Sequence, residues 1–314
     1  MSLVIEKAVK QASFALAAFA SAIGIGLGIS FCTAFDANAA TRFDGAWLER
    51  QIQNAADGTV IEIPAGDYDL KDVRIRKNIT LRGAINGTQR PILRSAETTD
   101  KGVLVPQVGV SLRLENLVFR NTSSWDRNGA GVRHEGLNLT IVNCLFDSNE
   151  DGILATGDPN GVITITGTKF IDNGFGDGQS HAIYVLNASK VDIRDSEFIG
   201  TRIGHHVKSL ARETVLIGNL MDDAYGRASY ALDASKGGLV TVKNNKIIQS
   251  VDSDNSAILN YDLTRGGAAV GFTIEGNEII NNYNGGILLR NDTRIVPIIR
   301  DNTVKNNGGR RLKM

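Results

Sequence analysis

The chain has 314 residues, 42% of them hydrophobic, and its 34 basic side chains balance 34 acidic ones to a formal charge of zero. That apolar content supports a large core and excludes a disordered chain. The charge balance disfavours a generally basic nucleic-acid binder, so no nucleic-acid partner is expected.

At the N-terminus, Lys7 and Lys10 precede an uncharged run over 11–35, followed by small residues at Ala37, Ala39 and Ala40. This is the pattern of a secretory signal over 1–39, leaving 40–314 as one domain. The run is also long enough to span a bilayer, so an uncleaved anchor is the alternative. Cys32 lacks the small preceding residues that lipid attachment requires. Cleavage leaves Cys144 as the lone cysteine of a periplasmic or secreted protein, with no internal disulfide and no stable membrane insertion.

Next comes "FDGAWLERQIQNAADGTVIEIPAGDYDL", whose apolar Trp47, Leu48, Ile52 and Ala55 predict an amphipathic helix ending near Gly58. From there the pattern switches to short alternating segments. The phrases "LENLVF", "IVNCLF", "ITGTKF", "IRDSEF", "LIGNLM", "VKNNKI", "IEGNEI" and "IRDNTV" recur roughly every 26 residues and align on Phe119, Phe146, Phe170, Phe198, Met221, Ile247, Ile279 and Val304. A second set, including "GVRHEG", "GILATG", "HAIYVLN", "HHVKSLA", "SYALDAS", "SAILNYD" and "GGILLRN", lies between them. No such unit can close a core alone, so the units must stack as a solenoid of strands, with the helix covering one end.

Two residues before the aligned apolar positions from Phe146 onward stand Cys144, Thr168, Ser196, Asn219, Asn245, Asn277 and Asn302. Stacked coils bring this column to one corner, where amides can hydrogen-bond along the stack. Cys144 is then a small buried filler rather than a nucleophile. The tail "NNGGRRLKM" shows no recognisable cap for the other end.

"IQNAADGTVIEIPAGDY" followed by "IRKNITLRGA" resembles the entry into right-handed parallel β-helix proteins of the pectin-lyase-like superfamily. The expectation is an all-β, single-domain right-handed parallel β-helix with an N-terminal capping helix. The superfamily includes polysaccharide lyases, epimerases, hydrolases and non-enzymatic proteins, so function must come from a site.

Three of the four histidines, His181, His205 and His206, lie close together in sequence with Tyr184, Lys208, Arg212, Asp222, Asp223, Tyr225, Arg227, Tyr230 and Asp233. Strand alternation predicts Ile183, Val185, Val207, Ser209 and Leu232 facing inward. Tyr184, Lys208 and Asp233 would then form an outward column on successive coils about 4.8 Å apart, with His206 and Ala182 facing the same side. A Gly-rich loop, "DNGFGDGQSH", adjoins them. The bland alternative is a solvated face on which Lys208 simply pairs with Asp233. "GDGQSHAIYV", "GHHVKSLA" and "SYALDASKGG" also resemble a bacterial group of β-helix proteins carrying H-x-I-Y, G-H-x-x-K-S and S-Y-x-x-D segments, which supports these residues as a unit without assigning a reaction.

β-Elimination from a uronic acid needs a neutralised carboxylate, a base for the C5 proton and an acid for the departing O4. Lys208 or Arg212 suits the first role, His206 or His205 the second, with Lys208 the alternative base if a neighbouring cation or burial lowers its pKa, and Tyr184 the third, with His181 beside them. Arg212, Tyr225, Arg227, Tyr230 and Asp233 are candidate substrate-binding groups. The expected partner is an acidic polysaccharide or oligosaccharide. A C5-epimerase would use the same groups, a non-catalytic carbohydrate-binding module would use the tyrosines for stacking, and a purely structural solenoid would use none. Hydrolysis would need several carboxylates around the bond. No cofactor is predicted; Asp222 and Asp223, with Asp233, are the candidate ligands if calcium takes part.

Overall fold

The computed structural model describes residues 44–84, 89–176, 179–223, 225–310 and 312–313. The signal expected over 1–39 lies outside the described residues. Helix α1 (Gly45–Asn54) opens the fold, with the Asp44 carboxylate accepting the Trp47 N–H at 2.9 Å as an N-cap. It ends four residues before Gly58, because Ala55 is already extended. Leu48 and Ile52 seal one end of the core, and Gly45 sits so close to Asp69 that a Cβ would meet its carbonyl oxygen at 1.8 Å.

The remaining described chain winds through about nine coils, each giving one strand to each of three parallel sheets. Sheet A begins with Val60–Ile63, sheet B with Asp67–Asp69 and sheet C with Val73–Ile75. This is the strand solenoid that the periodicity predicted, in the form of the right-handed parallel β-helix that the resemblance implied. The aligned column from Phe119 to Val304 pairs in register throughout sheet B. Its four phenylalanines stack at 4.8–4.9 Å between centroids.

From the coil of Asn116 onward, the corner between sheets A and B takes only two residues. The first has positive φ at Asn116, Asn143, Gly167, Asp195, Gly218, Asn244, Gly276 and Asp301. These are the residue types that tolerate a left-handed backbone. The second residue is the predicted amide column, and the side chains do bond along the stack. Asn219 donates to Asn245 Oδ1 at 3.0 Å, Asn245 to Asn277 Oδ1 at 3.0 Å and Asn277 to Asn302 Oδ1 at 2.9 Å. Cys144 lies in this column, buried, its thiol pushed up to about 12 by desolvation.

The other end is covered more than the tail predicted. Leu312 is buried in the core, and Lys313 makes a parallel bridge to Ile287, extending sheet C by one rung.

Candidate functional site

The site forms on the outer face of sheet C, on the strands Ile183–Val185, His205–Ser209 and Tyr230–Ala234. Tyr184 pairs with Lys208, and Lys208 with Asp233, so the predicted outward column exists. A second outward column precedes it: His205 pairs with Tyr230, and the His181 ring stacks on His205 at 4.7 Å.

The Asp233 carboxylate ties the columns together. Its Oδ2 lies 3.4 Å from His205 Nε2 and 3.5 Å from Lys208 Nζ. Ser235 donates to the same oxygen at 3.2 Å, while Asn260 Nδ2 donates to Oδ1 at 2.8 Å. Lys208 Nζ stands 5.1 Å from the centre of the Tyr184 ring, a cation–π arrangement. The Lys208 and Asp233 side chains are only 12% and 6% exposed, so this is a desolvated cluster rather than a freely solvated ion pair.

The imidazoles are neutral near pH 7. Burial lowers His205 to about 4 against the opposing pull of Asp233, and it holds His181 well below its ordinary value. His181 Nδ1 accepts the His205 N–H at 3.0 Å, so its ring proton belongs on Nε2. Burial also raises the Tyr184 phenol, and Arg265 partly offsets that rise.

His206 corrects the expected alternation. It is buried against the core, 6.0 Å from the Phe198 ring, and its Nδ1 shares a 2.7 Å hydrogen bond with Thr201 Oγ1. From Gly102–Pro106 to Ala257–Tyr261, the strands of sheet C enter through a bend at which two consecutive residues face inward. Val103 with Leu104, Ala182 with Ile183, His206 with Val207, Ala231 with Leu232 and Ile258 with Leu259 all belong to the core or its lining. A Cβ on Gly131 or Gly152, at the same position, would touch Phe146 or Phe170. Ala182, also expected outward, is therefore inside, and His205 takes the outer position instead.

The remaining candidates divide between two corners. Tyr225 is exposed over Gly200, and Arg227 is paired with Asp254 at 2.8 Å, both before sheet C begins. Arg212 lies beyond the sheet, in the turn toward sheet A. Asp222 and Asp223 do not converge with Asp233. Asp222 belongs to sheet B, whereas Asp223 is buried and accepts the Ala228 N–H at 2.6 Å. Among the described residues no three His, Cys, Asp or Glu side chains form a metal-binding group.

Residues 158–312 match the family model described as the right handed beta helix region. No curated protein matches the sequence. Among solved structures, the β-helix is similar to the PL6 family alginate lyase AlyGC at 14% identity and a TM-score of 0.46, over 83% of this chain and 38% of that one. A mutant of the same enzyme matches equally, over 82% and 38%. The chain thus spans well under half the length of these structures.

The β-helix also brings in residues that the sequence did not single out. Asp151 precedes His181 in the outer column and accepts its backbone N–H at 2.7 Å; burial raises its carboxyl well above the usual range. Asn260 bridges Asp233 and Asp262, and Arg290 bonds Tyr230 and Asp292. Arg290 stands in the column of Lys208 and could have been found by aligning "GGILLRN" with "HHVKSLA". Arg265 had no such signal, because it sits in the turn after Ala257–Tyr261, outside the repeat.

Proposed function

We propose that the protein is an exported lyase that cleaves a uronate-containing glycan by β-elimination on the outer face of sheet C. One observation carries this reading: a carboxylate, an imidazole and an ammonium meet within 3.5 Å at Asp233, beside a phenol. Lys208 supplies positive charge to the substrate carboxylate, which makes the C5 proton more acidic. His205 is the base and His181 packs it in place. Tyr184 delivers a proton to the departing O4. The C5 proton is taken by His205 Nε2, and Asp233, 3.4 Å away, stabilises the imidazolium that forms.

A value of about 4 would make free His205 a weak base. An anionic substrate raises it on arrival, because a nearby carboxylate favours the charged imidazole. Base strength is then coupled to occupancy of the site.

The test is a panel of acidic polysaccharides assayed for unsaturated uronate ends by ultraviolet absorbance. His205→Ala, Lys208→Met and Tyr184→Phe should each lower kcat/KM by roughly 10²–10⁴-fold while remaining folded. Failure to generate unsaturated ends from any panel member removes the lyase reading. Exchange of C5 hydrogen without cleavage identifies an epimerase, and binding without either identifies a carbohydrate-binding module.

A further inference from the structure

The coils that carry Tyr184, Lys208 and Asp233 share a second feature where they turn toward sheet A. A groove with a cavity volume of about 410 Å³ runs along this corner. Its floor is apolar, made by Ala188, Leu210 and Ala211, and Arg212 and Lys236 stand on it as cations. Arg212 follows Lys208 by four residues, at most about 13 Å of extended chain. Lys236 follows Asp233 by three residues on the next coil.

Neither cation has an acidic partner among the described residues; Arg212 makes only a 3.5 Å contact to Asn160 Oδ1. Nearby cations on sheet A are paired, as Lys190 is with Glu213 at 2.9 Å and Lys243 with Glu275 at 3.0 Å. One side of the groove is held by the turn from the following coil, where the Arg265 N–H donates to Ser235 O at 2.9 Å. Gly267, at φ +89°, lies so close that a Cβ would meet Lys236 O at 2.3 Å.

An apolar floor beside two unpaired cations complements a sugar ring with a C–H face and a carboxylate edge. We infer that this corner groove is a second carbohydrate subsite, in which Arg212 and Lys236 bind the carboxylates of an acidic glycan continuing from the sheet C face. The inference rests on the acidic-glycan part of the proposed function and is independent of the chemistry performed there.

The experiment titrates the full protein with oligogalacturonates and oligomannuronates, disaccharide against tetrasaccharide, using maltotetraose as the neutral control. With the unsubstituted protein, at least one uronate series should bind about tenfold more tightly as the tetrasaccharide than as the disaccharide. Arg212→Gln combined with Lys236→Gln should abolish that gain while leaving disaccharide affinity and the thermal midpoint unchanged. Val270→Glu, at an exposed position lining the groove, should reduce the gain by charge repulsion. Retention of the gain by the double variant, an equal affinity for maltotetraose, or no binding of either uronate series would overturn the subsite. Binding that follows these expectations without any unsaturated product would retain the subsite and remove the lyase reading. Cleavage with an unchanged KM in the double variant would do the reverse.

Discussion

His205 and His206 are adjacent in sequence and opposite in circumstance. One faces a carboxylate on the outer sheet; the other bonds Thr201 from inside the coil. Substituting each with alanine should separate their roles. His206→Ala removes buried volume beside Phe198 and strands the Thr201 hydroxyl, at a cost of about 2–3 kcal/mol in chemical denaturation. His205→Ala should cost less stability and, under the proposed function, most of the activity. A variant His206→Ala that is as stable as the unsubstituted protein would contradict its placement. Alternation alone located Tyr184, Lys208 and Asp233 correctly, because they lie beyond the entry bend and their alternation is undisturbed. It misplaced His206 and Ala182, because a two-residue inward bend has no marker in a single strand. Its signature is the recurrence of small or apolar residues at this position from coil to coil, which shows only when Val103, Gly131, Gly152, Ala182, Ala231 and Ile258 are compared. Arg265 lies in a turn outside the repeat and had no pattern to announce it, whereas Asp151 is found by aligning its strand with the one that His181 precedes.

At the scale of the element, the corner between sheets A and B joins backbone conformation to side-chain chemistry. A residue with positive φ turns the chain, and the following asparagine spans the rung. Asn245 accepts from the backbone and side chain of Asn219, and donates to Leu216 O and Asn277 Oδ1. Asn245→Ala should therefore destabilise the protein by about 2–4 kcal/mol, since several buried groups lose partners together. Asn302→Ala, at the half-buried last rung, should cost about 1 kcal/mol. Equal effects at the two positions would show that the ladder does not act as a buried network. This column was legible in the sequence because corner and repeat share one period. A second ladder, in which the Thr122 N–H donates to Asn149 Oδ1 and Asn149 Nδ2 to Asn173 Oδ1, was not, because it spans three coils and ends where Thr201, at the next equivalent position, bonds His206 instead.

Across the whole molecule, the buried ionisable groups set how stability varies with pH. His134 and His205 are lowered to about 4 and His206 to about 3, all by burial. Between these values and about 6.5 the unfolded chain binds protons that the folded one does not, so their contribution to stability declines as pH falls through that window. Burial raises Asp223 to about 8, and from about 4 to 8 the folded state retains a proton that the unfolded state has lost. Its contribution therefore declines as pH rises. His181, lowered likewise, joins these histidines and Asp151, raised likewise, joins Asp223; the histidines outnumber the two acids below about 6.5 and cease to oppose them above, which places the maximum of stability near pH 6.5. The thermal midpoint should fall on either side. Asp223→Asn should make the alkaline limb shallower between about 6.5 and 8, by up to about 2 kcal/mol, with Asp151 carrying the remainder, and an unchanged limb would assign that decline elsewhere.

The position of the site within the stack has its own consequence. Each coil is secured chiefly by the coil before it and the coil after it, so disruption travels inward from the ends as a front rather than striking everywhere at once. Helix α1 guards one end, while at the other the strands Ile298–Arg300 and Thr303–Asn306 remain largely uncovered. The three coils bearing Tyr184, Lys208 and Asp233 lie away from both margins, with the outer coils standing as sacrificial ground around them. Fraying at the margins can thus open and close while the face bearing the candidate site keeps its shape.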